Sequence, residues 1–161
     1  MMQEVKKYWP LIVLFLVAII FGGVMSRGIP PIWMHASMGF ALIMFATLKL
    51  FNPSKFADGF QMYDMLAKNF RPYAYVYPLI ELALGFAWAI IYQPYYTAWA
   101  TIVIFSIGLI GVLFAIHKGL NVNCACMGNV LQVPLSTVTV WENMLMITMS
   151  IIMLNQVDLP Y

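Results

Sequence analysis

Residues 98–117 read AWATIVIFSIGLIGVLFAIH, twenty residues without aspartate, glutamate, lysine or arginine. An α-helix rises about 1.5 Å per residue, so this run is about as long as the hydrocarbon core of a bilayer is thick. A helix satisfies its backbone hydrogen bonds within its own segment, which is why it can cross lipid. The run therefore predicts a transmembrane helix.

The composition of the whole chain agrees with that prediction. Of 161 residues, 63% are apolar and 9% are charged, and the mean hydropathy is +0.87. A soluble domain carries about a quarter charged residues, because its surface faces water. We expect an all-α, polytopic membrane bundle forming a single domain over residues 1–161, with the lipid bilayer as its surroundings. The net charge of +2 is too small to indicate a nucleic-acid partner.

Five segments are predicted to span the membrane. Besides 98–117, they are residues 8–25, 33–50, 74–92 and 136–154. Tyrosine and tryptophan residues cluster near the proposed ends, at the depth that amphipathic rings favour. The sequence thus predicts a core of four helices from residue 33 onward, preceded by a retained first helix.

The segment between the second and third spans has a different pattern. Apolar residues recur at helical spacing, whereas Asp58 and Asp64 fall largely elsewhere around the helix. The apolar residues are Phe56, Phe60, Tyr63, Ala67 and Phe70. This pattern predicts an amphipathic helix over residues 54–70 that lies on the inner membrane surface. An ordinary connector that faces water is the alternative.

Lysine and arginine predict the orientation. With the N-terminus inside, the inner segments carry seven of these residues and the outer segments carry only Arg27. Positive residues favour the cytoplasmic side. We expect a bacterial inner-membrane protein with the N-terminus and the 118–135 loop in the cytoplasm, and the C-terminus in the periplasm.

That loop contains the two cysteines of the chain, in the run Asn123-Cys124-Ala-Cys126-Met127-Gly-Asn129. Two thiolates and a thioether are soft donors that select Cu(I) and similar thiophilic ions. The same spacing can close a small, strained and therefore oxidising disulfide. Two incidental loop cysteines are the remaining alternative.

Two acidic residues, Glu81 and Glu142, lie within predicted spans. Both are expected about 10 Å below the cytoplasmic face. A carboxylate at that depth should be protonated, paired or facing a wet cavity, and it indicates function by default. A purely structural role is the alternative, in which Glu81 bonds a neighbour such as Tyr77.

A third candidate site lies near the outer end of the second span. His35 has Met38 three residues later on the same helix face, with Met34 beside it. Imidazole and thioether groups suit an entry site for a soft metal. A lone histidine that reaches toward the interface is an equal alternative.

Four stretches in combination resemble the MauE/DoxX-like membrane proteins, most closely the branch often joined to a heavy-metal-associated domain. They are FADGFQMYD at 56–64, which contains Asp58, Tyr63 and Asp64, YAYVYPLIELALG at 73–85, CACMG at 124–128 and PLSTVTVWE at 134–142. The resemblance covers roughly residues 8–154. It implies a helical membrane fold, and it suggests two roles.

The heavy-metal branch implies transfer of Cu(I) or Hg(II), and handling of such a soft metal, copper before mercury, is the role that we expect from the sequence, with the role implied by the name MauE as the alternative. The ion would enter near His35, Met34 and Met38, pass Glu81 and Glu142, and be captured by Cys124, Cys126 and Met127. This chain has no soluble metal-binding domain, so a soluble carrier or a heavy-metal-associated domain protein would be its partner.

The name MauE implies instead a thiol-redox or maturation factor for a partner protein, with Cys124 and Cys126 cycling between dithiol and disulfide. Only in that role would the chain resemble an enzyme, a thiol–disulfide oxidoreductase. A non-catalytic assembly factor, with the two acids as interhelical contacts, is a third class.

Overall fold

The computed structural model describes residues 2–27, 29–62, 64–119 and 135–157. This part of the chain is helical throughout, with short turns. In chain order the helices are α1 (Met2–Met25), α2 (Pro30–Phe51), α3 (Pro53–Phe60), α4 (Met65–Asn69), α5 (Arg71–Ala89), α6 (Pro94–His117) and α7 (Leu135–Val157). The predicted all-α class is confirmed.

The five long helices form an antiparallel bundle. Helix α2 packs between α1 and α5, and α7 packs along α6. The core joins residues from these helices, with Leu42, Phe105 and Met146 among the most deeply buried. Proline stands at the first or second position of α2, α5 and α6, where its missing N–H costs no helical hydrogen bond. Because consecutive long helices run in opposite directions, α2 and α6 end where α5 and α7 begin. This end of the bundle is here called the α3–α4 end.

Two of the described helices are long enough and apolar enough to cross a membrane. They are Ile32–Phe51 within α2 and Pro94–His117, which is α6, whereas the apolar part of α1, Ile12–Met25, is shorter. Helices α1, α5 and α7 coincide with the other predicted spans. The count of five crossings stays a prediction.

The segment expected to form one surface helix forms two. Helix α3 ends at Phe60 and α4 begins at Met65. Asp64 causes the break, because its Oδ1 accepts a hydrogen bond from the Ala67 N–H at 2.8 Å and so caps α4. Asp64 is buried rather than on a polar face, and Phe70, expected on the apolar face, is exposed.

The apolar face of α3 packs onto the bundle. Phe56, Ala57 and Phe60 are buried, and the Phe60 ring lies 4.7 Å from that of Tyr77 on α5. An amphipathic helix buries its apolar face wherever it finds apolar surface. Here α3 covers the α3–α4 end of the bundle, and a location at the membrane surface stays a prediction.

Helices α2 and α5 approach each other closely at two glycines. A Cβ added at Gly39 would lie 2.6 Å from the Ala89 nitrogen and 2.7 Å from the Gly85 oxygen. Both are backbone atoms, so no side chain can move aside. Small residues allow this backbone contact between membrane helices.

We expect Gly39→Ala to destabilise the protein by about 1–3 kcal/mol, because the added methyl group pushes α5 away from α2. Unfolding by a denaturing detergent, followed by circular dichroism, measures the loss. Gly23→Ala is the control: its Cβ would meet nothing closer than 3.7 Å, so it should be neutral or slightly stabilising. Equal stability of the two variants would contradict the close contact.

Candidate functional site: a buried charge cluster

Lys49 is the centre of the candidate site. Helix α2 continues to Phe51, so Lys49 lies in its last turn and not in the loop beyond it. The side chain turns into the bundle, where the residue is 4% exposed. A lysine this buried is rare unless it is paired, and the acids nearby explain its position.

Both intramembrane acids bind the same ammonium group. Lys49 Nζ lies 2.6 Å and 2.8 Å from the two carboxylate oxygens of Glu81, and 3.4 Å from Oε1 of Glu142. Glu81 and Glu142 are 1% and 4% exposed. The structure therefore brings the two predicted acids together at one depth, and it pairs them with a lysine. Three charged groups from α2, α5 and α7 meet in this cluster.

Aromatic rings close the cluster. Lys49 Nζ lies 5.4 Å from the centre of the Tyr77 ring and 5.9 Å from that of Phe56. At these distances the ring faces attract an ammonium group. Because Phe56 belongs to α3, the short helix covers the charges at the α3–α4 end, and it shields the cluster from solvent.

A small polar void adjoins the charges. Its lining includes Glu142, Thr139, Asn143 and the backbone of Gly108, and its volume of about 10 Å³ is close to the space that one water molecule needs. Within the described residues, Thr139 Oγ1 and Asn143 Nδ2 are buried without a hydrogen-bond partner. These groups provide the void with polar contacts beside the carboxylate of Glu142.

The site predicted around His35 is remote from the cluster. His35 lies fourteen residues before Lys49 on α2, which is about 21 Å along a helix. Its ring lies 5.3 Å from that of Trp88, whose Nε1 donates to Thr101 Oγ1 at 3.0 Å. Met38 is buried in the core, and Met34 packs against it. No group of three or more histidine, cysteine, aspartate or glutamate side chains suited to a metal ion occurs in the described residues.

The other predicted motif residues either lie apart from the cluster or are not among the residues that the structure describes. Asp58 accepts a hydrogen bond from exposed Arg71 at 2.9 Å, and Asp64 caps α4. Tyr63, Cys124, Cys126 and Met127 lie outside the described residues, so their roles stay predictions. The loop with both cysteines joins the end of α6 to the start of α7, and both ends belong to the α3–α4 end.

Sequence reasoning missed Lys49 as a member of the site, because it counted the residue only as a positive charge at the inner face. The available signal is position. Lys49 lies inside the predicted span 33–50, one residue from its inner end, so its long side chain can extend inward toward the level expected for Glu81 and Glu142. A basic residue within a span needs an acidic partner as much as an acid needs a base.

Long apolar helices around a buried ion cluster define an α-helical membrane protein, as the composition predicted. The family comparison narrows this class. The model of a membrane-protein family described as "Methylamine utilisation protein MauE" matches residues 27–156, and the chain belongs to that family. The resemblance to MauE proteins is thereby confirmed, whereas the heavy-metal-associated branch stays a prediction. The whole of α1 lies outside the match. Neither the curated proteins nor the solved structures contain a match.

Proposed function

We propose that this protein is a membrane-embedded maturation factor that exchanges thiols and disulfides with a partner protein through Cys124 and Cys126. The observation that carries the proposal is the Lys49–Glu81–Glu142 cluster at the α3–α4 end, from which the cysteine loop extends. The family name supports a role in methylamine utilisation. In this proposal the cysteines of the loop carry out the disulfide exchange, and the cluster binds and releases protons.

The cluster is suited to hold a proton. One ammonium group faces two carboxylates, so the ionised cluster has one negative charge in excess. A buried, uncompensated charge is costly, and a proton on the cluster removes that cost. Glu142 lies seven residues after Leu135, about 10 Å along α7, so this acid–base group is anchored to the same helix as the loop.

Thiol exchange needs such a group. The Cys124 thiol gives up its proton and attacks a disulfide of the partner. A mixed disulfide forms and one partner sulfur leaves as a thiolate, which takes up a proton. A second partner thiolate then attacks the mixed disulfide, so that a new partner disulfide forms and Cys124 is released. The sequence of steps is redox-neutral and consumes no oxidant.

The Cys-x-Cys spacing favours this exchange over net reduction of the partner. A disulfide between Cys124 and Cys126 would close a small, strained ring, so Cys126 is slow to displace the partner. The mixed disulfide then persists until a partner thiol resolves it. Partner disulfides persist in the periplasm and are rare in the cytosol, so this role requires the loop to face the periplasm, opposite to the side that the lysines and arginines predict.

Handling of Cu(I) or Hg(II), through the soft donors Cys124, Cys126 and Met127, is the role that the sequence alone favours. The structure of the cluster argues against the passage of a metal ion between Glu81 and Glu142, the middle part of the predicted path. Lys49 Nζ lies between Glu81 and Glu142, where its positive charge repels a metal cation. A metal site on this chain would therefore consist of the loop donors, with a separate carrier as its partner.

We expect wild type and Cys126→Ser to form similar amounts of a reductant-sensitive mixed disulfide through Cys124 with a scrambled-disulfide model protein, as seen on non-reducing gels, because a partner thiol and not Cys126 resolves it. Cys124→Ser with Cys126→Ser should give no adduct, and Met127→Leu with both cysteines intact should exchange disulfides at the wild-type rate. Metal analysis of the purified wild type accompanies these measurements. Stoichiometric copper or mercury that is lost in the double variant, with no adduct in Cys126→Ser, would establish the metal role instead.

A further inference from the structure

An apolar cavity of about 340 Å³ lies between α1, α2 and α7, away from the charge cluster. Helix α1 packs along α2 whereas α7 packs chiefly along α6, so α1 and α7 flank α2 with a gap between them. The floor of the gap is α2, from Trp33 to Ala41, and the walls include Phe15, Ala18 and Met149. The volume falls within the range of small-molecule sites in proteins.

The lining of the cavity is wholly apolar. Ser37 is the lining residue with a hydroxyl group, and that hydroxyl is turned toward α1: a Cβ added at Gly22 would lie 1.9 Å from Ser37 Oγ. Four methionines contribute thioether side chains that adapt to flexible ligands: Met34, Met38, Met146 and Met149. The cavity therefore suits a flexible hydrocarbon rather than a polar molecule.

The depth of the cavity corresponds to one half of a bilayer. Helix α2 begins at Pro30, and Ala41 lies eleven residues further on, about 16 Å below the start of the helix. One leaflet contributes about 15 Å of the hydrocarbon core. A lipid chain in this leaflet would extend along the whole cavity.

A positive charge lies at the end of the bundle nearest to the cavity. Arg27 is exposed in the turn between α1 and α2, six residues before Trp33. Within the described residues, it is the only charged side chain at this end. Arginine pairs well with phosphate oxygens, and a phospholipid places its phosphate immediately outside the hydrocarbon region.

We propose that the groove between α1, α2 and α7 binds one phospholipid, with an acyl chain in the cavity and the phosphate at Arg27. The site is formed in part by α1, which lies entirely outside the residues that the family match covers. Bound lipid fills the gap between α1 and α7 and so links the first helix to the last.

Native mass spectrometry of the detergent-purified protein with added palmitoyl-oleoyl phosphatidylglycerol tests the proposal. We expect wild type to retain one lipid per chain, and Ala41→Phe, which fills the cavity, to weaken retention at least about tenfold, equivalent to about 1.4 kcal/mol. Ala83→Phe is the matched control, because Ala83 is exposed on α5, and it should retain the lipid as wild type does.

Arg27→Gln separates the two contacts without changing the cavity. It should weaken retention of phosphatidylglycerol about fivefold, while it leaves retention of the uncharged diacylglycerol with the same chains unchanged; such an effect corresponds to about 1 kcal/mol. Retention by Ala41→Phe equal to wild type would overturn the proposal. So would a retained species that is an isoprenoid or a second copy of the chain, or an absence of retained lipid in wild type.

Discussion

Lys49→Met should lower the free energy of unfolding by about 3–5 kcal/mol, because removing one partner of a buried ion pair leaves charge without compensation. The variant keeps an unbranched side chain about as long as the aliphatic part of lysine, but it loses the ammonium group that binds Glu81 and Glu142. Two carboxylates would then face each other in the interior. Unfolding in mixed micelles, followed by circular dichroism, measures the change.

Lys68→Met is the control for this experiment. Lys68 lies on α4, also at the α3–α4 end, and its side chain is exposed. An exposed substitution away from special contacts changes stability by about 0.5 kcal/mol or less. Adding Glu81→Gln and Glu142→Gln to Lys49→Met should recover part of the loss, since the carboxylate charges disappear with the ammonium group. A Lys49→Met variant as stable as the Lys68→Met variant would refute the cluster.

Trp88→Ala should destabilise the protein by about 3–5 kcal/mol, the range for removing a large buried aromatic side chain. Trp88 is 1% exposed, contacts the His35 ring and donates to Thr101. Trp88→Phe should cost less, because it keeps an aromatic ring in the core and loses chiefly the hydrogen bond. Because each substitution removes a tryptophan, fluorescence would change for reasons other than unfolding. The measurement is therefore the midpoint temperature of thermal aggregation of the purified variants, which should fall most for Trp88→Ala.

The control for Trp88 is Trp141→Ala, since Trp141 is 68% exposed on α7. It should leave the midpoint of thermal aggregation close to that of wild type. If Trp88→Ala and Trp141→Ala behaved alike, the contacts of Trp88 with His35 on α2 and with Thr101 on α6 would be wrong. This contact also explains why His35 lies in the core and does not reach toward the interface.

The sequence was sufficient for the class of fold because helix length and hydropathy are properties of single segments. The same holds for the shared level of Glu81 and Glu142 in the bundle, which follows from the rise of a helix, whereas their depth in a membrane stays a prediction. Their shared partner could not be predicted in this way. Whether Lys49 points into the bundle depends on how far α2 rotates against α5 and α7, and this rotation is a property of packing between segments.

The break at Asp64 shows the same limit on a smaller scale. Helical spacing of apolar residues predicted one helix over 54–70, yet aspartate is a favoured N-cap. The capping hydrogen bond to the Ala67 N–H starts a new helix at Met65. Periodicity indicated which residues face the bundle, with Phe56 and Phe60 buried as expected, but the local hydrogen bond decided where the helix is interrupted.

The buried cluster also changes how the candidate functions compare. Read from the sequence, two acids at one depth suggest a path for a cation. With Lys49 between them, the same acids form a cluster that has one negative charge in excess when all three groups are ionised, and that is suited to bind a proton. This difference moves thiol exchange ahead of metal transfer as the proposed role of Cys124 and Cys126.

A double-mutant cycle between Lys49 and Glu142 tests the cluster most directly. The single variants Lys49→Met and Glu142→Gln and their combination are compared with wild type by unfolding in the same micelles. We predict a coupling energy of about 1–3 kcal/mol, as for residues that share one ion-pair network. Effects that add to within about 0.5 kcal/mol, as for distant sites, would contradict the contact between the lysine of α2 and the acid of α7.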